Sequence, residues 1–161
     1  MNTILAIDPG TTESGVVVFR DGRILHTEVC DNVRALHLVR TVNANVLALE
    51  MVASYGMAVG KEVFRTVWWT GRFAEAWSQR TECLPREVFR QEVKLHLCAS
   101  PRAKDANIRQ ALIDLLGPQG TKKAPGPTFG VKSHGWAALA VAVTAAGLRP
   151  DHMQQQGRAA A

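Results

Sequence analysis

Cysteine is scarce in this chain: Cys30, Cys83 and Cys98 are its only three, and they lie far apart. None of them has the close pairing of a zinc site, and an odd, sparse set does not make a disulfide framework. Reduced thiols and a cytoplasmic location are the expectation. Aromatic residues amount to 6%, with Tyr55 the single tyrosine. No apolar run reaches the roughly 20 residues that cross a bilayer, so no membrane partner is expected. The chain opens directly on a strand pattern, so no targeting segment is expected. Acidic residues are the minority charge, 14 against 19 Lys and Arg, giving a formal net charge of +5. Such an excess favours a polyanionic partner, nucleic acid foremost, although basic proteins without one are common.

What the chain has in quantity is apolar surface. Hydrophobic residues fill 47% of its 161 positions, enough for a good core in one domain. We place that domain at residues 1–148 and read 149–161 as a flexible C-terminal tail. Residues 4–8 read as a buried strand and Gly10 to Gly15 as a turn. Val16–Arg20 and Arg23–Val29 then form a hairpin across Asp21-Gly22. Asp31 or Asn32 can cap a helix reaching about Thr41. "NVLALEM", residues 45–51, is a short, nearly all-apolar strand suited to the centre of a sheet. Lys61 to Arg80 reads as a long helix, "CLPREVFRQEVKLHL" as a brief strand and then a helix, and Ala103 to Leu116 as an amphipathic helix. The Gly- and Pro-rich residues 117–130 are a loop. Ser133 can cap a last helix, "HGWAALAVAVTAA". A three-strand meander followed by alternating helix and strand points to an α/β domain.

The first turn, "DPGTTESG", admits two readings. It resembles the first phosphate loop of the actin and sugar-kinase superfamily, because backbone N–H groups in a tight turn make an anion nest. That superfamily closes two related domains over its nucleotide. This chain has room for one and shows no second Asp-Gly phosphate loop. In the other reading, Asp8 holds a metal over a phosphodiester, and acidic or imidazole groups from other elements must converge on it. Glu50, ending "VLALE", is the first candidate. An unpaired carboxylate on a buried strand is costly, so a partner is expected. If the two strands are neighbours, Asp8 and Glu50 could share a cation. A nearby arginine or a helix cap would explain Glu50 as well.

Four stretches together resemble the RuvC-type Holliday junction resolvases, particularly their phage-encoded branch, in the ribonuclease H-like superfamily. They are "AIDPGTTESG" with Asp8, "LALEMVASYGMAVGKEVF" with Glu50, "VKLHLCASPRAKDANIRQALI", and "GVKSHGWAALAVAV". The resemblance spans about residues 3–146. It implies a five-stranded mixed sheet flanked by helices, a homodimer, and metal-dependent hydrolysis of a four-way DNA junction that leaves 5′-phosphate and 3′-hydroxyl ends. It further implies two ions, Mg²⁺ or Mn²⁺, held by an Asp, a Glu and an acidic pair three residues apart on the last helix. Asp8 and Glu50 match the first two. The helix pair falls on His134 and Ala137; imidazole can still bind a metal, and alanine cannot. Asp105, Glu13 and Asp114 are the acids available as a replacement. Asp105 is preferred because it adjoins Lys104, which matches the family's basic residue near the cleaved strand. A phage-encoded enzyme would work in the cytoplasm of its bacterial host.

Around that centre, Arg102, Lys104, Arg109, Lys122, Lys123 and Lys132 form the expected DNA surface. "GTKKAPG" sets two of these lysines in a loop that can follow a backbone without disturbing packing. Tyr55, five residues past Glu50, matches an aromatic the family uses at the junction centre, where it could stack on an opened base. "EVFRTVWWTGRFAEAW" carries more aromatics than a half-wet helix ordinarily needs. Part of it is expected to cover its own sheet and part to meet a partner subunit. A flap or branched-DNA nuclease and a junction-binding protein weakened by Ala137 are the alternatives.

Overall fold

A computed structural model describes residues 2–150, so most of the tail expected at 149–161 lies outside the described residues. The elements run β1 (Thr3–Asp8), β2 (Glu13–Arg20), β3 (Arg23–Asp31), α1 (Asn32–Thr41) and β4 (Val46–Met51). They continue with α2 (Lys61–Thr81), β5 (Arg86–Phe89), α3 (Arg90–Cys98), α4 (Asp105–Leu116) and α5 (His134–Ala145). The five strands form one mixed sheet in the order β3-β2-β1-β4-β5. β1, β2 and β3 pair antiparallel, while β4 and β5 join parallel to β1. Asp21 and Gly22 both take positive φ (50° and 77°), the twist that a two-residue hairpin between β2 and β3 requires.

Alternation along the strands sorts the core into two layers. Ile4 and Ala6 of β1, with Val46 and Ala48 of β4, pack toward α3, α4 and α5. Leu5, Ile7, Leu47 and Leu49 pack the other way, against Trp69, Phe73 and Trp77 of α2 and the apolar face of α1. Both strands are therefore apolar on both faces, as central strands covered by helices must be. Asp31 caps α1 by accepting the Arg34 backbone N–H at 2.8 Å. α5 is buried from Ala138 to Thr144 and lies flat on the sheet, its alanines permitting close approach. Burying one of its Val or Leu side chains contributes roughly 1.5–3 kcal/mol, so the helix start is firmly placed.

One local expectation is corrected. Ser133 stands at the first position before α5, but its side chain makes no capping hydrogen bond. Its backbone lies at φ 47° and ψ −130°, where a hydroxyl cannot fold back onto the first turn.

Candidate active site

Strand periodicity builds the centre. Ile4, Ala6 and Asp8 share one face of β1; Val46, Ala48 and Glu50 share the same face of β4. The parallel register pairs Ile4 with Val46 and Ala6 with Ala48. The next step of that register sets Asp8 beside Glu50 at the sheet's end, on the face that α5 crosses. Only 16% of the Asp8 side chain and 15% of the Glu50 side chain are exposed. The start of α5 brings His134 to the pair, with Nδ1 2.9 Å from Asp8 Oδ2. With Asp8 ionised the ring nitrogen donates, leaving Nε2 with the lone pair that a metal or proton needs.

Burial and like charge strain this pair. Desolvation raises the Asp8 carboxyl above its ordinary value, opposed mainly by its hydrogen bond to His134. Glu50 is pushed up to about 8, first by burial and then by the Asp8 charge, with Arg90 pulling the other way. Arg90 NH1 lies 3.8 Å from Glu50 Oε1, and its NH2 engages the carboxylate of Asp105.

These groups line an open cleft of about 730 Å³, together with Arg109, Trp136 and Ala137. Asp8, Glu50, His134, Asp105 and Arg109 are thus brought together. Tyr55, Arg102, Lys104, Lys122, Lys123 and Lys132 are exposed and lie outside the cleft lining. Lys104 stands at the cap position just before α4, where its backbone N–H is accepted by the Asn107 side chain at 2.9 Å. Residues 120–125 close a small turn through a Gly120–Pro125 bridge, with Lys122 and Lys123 at its exposed tip. That loop is tied back to the site. Gln119 donates to the Val131 carbonyl at 2.8 Å and accepts from Arg109, whose guanidinium lies 4.8 Å from the Trp136 ring centre.

Sequence reasoning missed Arg90 and Trp136. Arg90 follows β5, and its place beside Glu50 depends on β5 docking along β4. Trp136 sits in an apolar helix and reads as core.

The first turn closes on itself. Ser14 is fully buried; it donates to Asn32 Oδ1 at 2.6 Å, and its hydroxyl accepts the Gly10 N–H at 3.4 Å. Asn32 in turn donates to the Gly10 carbonyl at 3.0 Å. Two groups a phosphate would need, the Gly10 N–H and the Ser14 hydroxyl, are already bonded within the turn, which argues against the nucleotide reading. Gly15 has a packing reason instead: a Cβ there would meet the His134 carbonyl oxygen at 2.2 Å.

Among the described residues, no group of three His, Cys, Asp or Glu side chains is drawn close enough to hold a metal ion. The donor chemistry still fits one hard divalent cation, since two crowded, mostly buried carboxylates gain most from neutralisation. It offers no second set: Ala137 has no donor atom, and Asp105 engages Arg90.

A five-stranded mixed sheet in this order, flanked by helices on both faces, with its cleft at the ends of the two central parallel strands, is the ribonuclease H-like fold in its RuvC form. The Thermus thermophilus RuvC structure matches with a TM-score of 0.67 at 23% identity, over 90% of this chain and 93% of that one. T. thermophilus RuvC in complex with Holliday junction substrate matches with a TM-score of 0.68 at 22% identity, over 91% and 93%. No protein-family model and no curated protein matches the chain. Among the described residues, no helix is long and apolar enough to cross a membrane.

Proposed function

We propose that this chain is a metal-dependent, structure-selective endonuclease that resolves four-way DNA junctions, encoded by a phage or prophage. One observation carries the reading: on a RuvC fold, β1 and β4 deliver two mostly buried carboxylates beside a histidine in an open cleft. Asp8, Glu50 and His134 would hold Mg²⁺ or Mn²⁺. Such an ion supplies a water of lowered pKa and charge opposite the phosphate. The residues themselves do the positioning. Asp8 fixes the His134 ring through Nδ1, Glu50 borders the attack face, and the cleft mouth admits a strand without enclosing it. Hydrolysis would leave 5′-phosphate and 3′-hydroxyl ends.

Exposed Arg102, Lys104, Lys122, Lys123 and Lys132 would follow phosphates outside the cleft, with Arg109 at its edge, and Tyr55 would meet an opened base at the crossover. Phe64, Val67 and Trp68 form an exposed stripe on α2, opposite the face that covers the sheet. That stripe supports a homodimer, which would set two cutting sites against one junction. Ala137 favours a second reading, a junction binder that cuts slowly or not at all.

The test is cleavage of a labelled four-way junction, beside a flap and a plain duplex, in Mg²⁺ and in Mn²⁺, with E50Q as control. Paired symmetric nicks confined to the junction support the resolvase. Nicks in the flap as well give a branched-DNA nuclease. Tight junction binding without product in either metal gives the binder.

A further inference from the structure

Arg90 is a cation built into the cleft, and the function just proposed leaves it without work. Its position follows from the sheet: Phe89, the last residue of β5, pairs with Met51 at the end of β4, and Arg90 follows at once. The guanidinium therefore stands beside Glu50, at 3.8 Å an ion-pair contact and too long for a hydrogen bond. Asp105 accepts from its NH2. A guanidinium carries five N–H donors in a planar fork that matches phosphate, and among the described residues Asp105 is its one hydrogen-bond acceptor, which leaves most of them over.

Asp105 is a weak hold on that fork. Its side chain is 88% exposed, and water screens so exposed an ion pair and lets it exchange. The charge balance of the cleft calls for an exchange of this kind. One divalent ion cancels Asp8 and Glu50 and nothing more, while Ala137 supplies no donor for a second. A phosphodiester entering the cleft brings a further negative charge. More charge gathers on its oxygens as the water oxygen bonds to phosphorus and the P–O3′ bond breaks.

We propose that Arg90 is a catalytic residue that donates paired hydrogen bonds to the scissile phosphate, and that the Asp105 carboxylate is a placeholder which this phosphate displaces. In the hydrolysis, the attacking water releases one proton to solvent and O3′ takes one up. Arg90 keeps its own protons and acts only by stabilising charge on the phosphoryl oxygens. The inference rests on the nuclease reading above.

The experiment uses the full chain and a fluorescein-labelled four-way junction. It measures junction affinity in Ca²⁺, cleavage kinetics in Mg²⁺, and Mn²⁺ binding to the DNA-free protein by calorimetry. R90Q should lower kcat by about 10²-fold, as loss of a charge-stabilising donor does, while R90K recovers part of the rate. Mn²⁺ binding to R90Q should persist. D105N should tighten junction binding by about threefold and lower KM, since it frees the fork without adding a contact. R90Q cutting at the wild-type rate would overturn the proposal. D105N losing both Mn²⁺ binding and cleavage would make Asp105 a metal ligand and overturn it too, as would weaker junction binding by D105N. Asp105 is exposed, so D105N keeps the test open even if Arg90 variants do not fold. A wild-type chain that neither binds nor cuts the junction sinks the nuclease reading itself; a wild type that cuts beside indifferent variants sinks only the role of Arg90.

Discussion

Gly15 and His134 touch backbone to backbone: a Cβ on Gly15 would stand 2.2 Å from the His134 carbonyl oxygen. Gly15 also faces Asp8 across the β1–β2 ladder. The absent side chain on β2 therefore sets how closely the imidazole approaches the carboxylate. G15A should force the start of α5 outward at a cost of roughly 1–3 kcal/mol, seen as a lower Tm. Cleavage should fall further than the loss of folded protein explains, because the 2.9 Å contact between His134 and Asp8 opens. Wild-type cleavage by a G15A protein would show that this contact does not matter.

D8N and E50Q should abolish cutting and largely spare junction binding, since both side chains lie at the cleft floor and not on the lysine surface. In metal-free buffer each should also raise Tm, because a neutral amide bears no cost for burying an ionisable carboxyl. A lowered Tm for both would mean the carboxylates stabilise the fold and are not held there at a cost.

The raised Glu50 carboxyl gives a pH signature. Its folded value is about 8 against an ordinary 4.5, so its contribution to metal-free stability is full below 4.5 and is lost as pH rises through about 8. Tm of the metal-free protein should fall across that window, and E50Q should flatten the fall. Mn²⁺ affinity should run the opposite way, rising with pH as the protons leave the ligands. Calorimetry at the two ends of the window checks both.

Lys122 and Lys123 at the tip of the 120–125 turn should act through charge alone. K122A/K123A should weaken junction and duplex binding alike and reduce the slope of log affinity against log salt by about 2. Y55A should instead lose roughly 1–3 kcal/mol on the junction and nothing on plain duplex, the mark of base stacking. A loss shared equally by both DNAs would remove Tyr55 from the crossover.

A137D should add a donor to the lining of the cleft that holds Asp8 and Glu50. Lower Mg²⁺ requirement and faster cutting are expected, read from cleavage rate against Mg²⁺ concentration. An unchanged metal dependence would show that one ion suffices in this site.

Much of this was legible in the chain. Alternation in "ILAID" and "VLALE" predicts that the terminal acid of each shares a face with its small neighbours, and it needs only adjacent strands to make a pair. The start of α5 could be read from the apolar run after His134. Other features depended on distance in space. The phosphate-loop likeness of "DPGTTESG" arose because any tight turn favours Gly, Thr and Ser; its closure rests on Asn32, 18 residues beyond Ser14. Arg90 was invisible for a similar reason, since nothing local ties it to Glu50. The Ser133 cap failed because composition shows which residue can cap and not which backbone angle it will take.

The two-layer core carries a last consequence, one of parity. Each central strand presents its acid, an alanine and a branched aliphatic to the α5 side on one beat, and large aliphatics to α1 and α2 on the other. Deleting a single residue within β4 would turn Glu50 toward α2 and bring a leucine-sized side chain under α5. Length changes here can preserve the site only in steps of two, so chains that keep this cleft must share an odd or even count between strand entry and acid, however far the rest of their sequences drift.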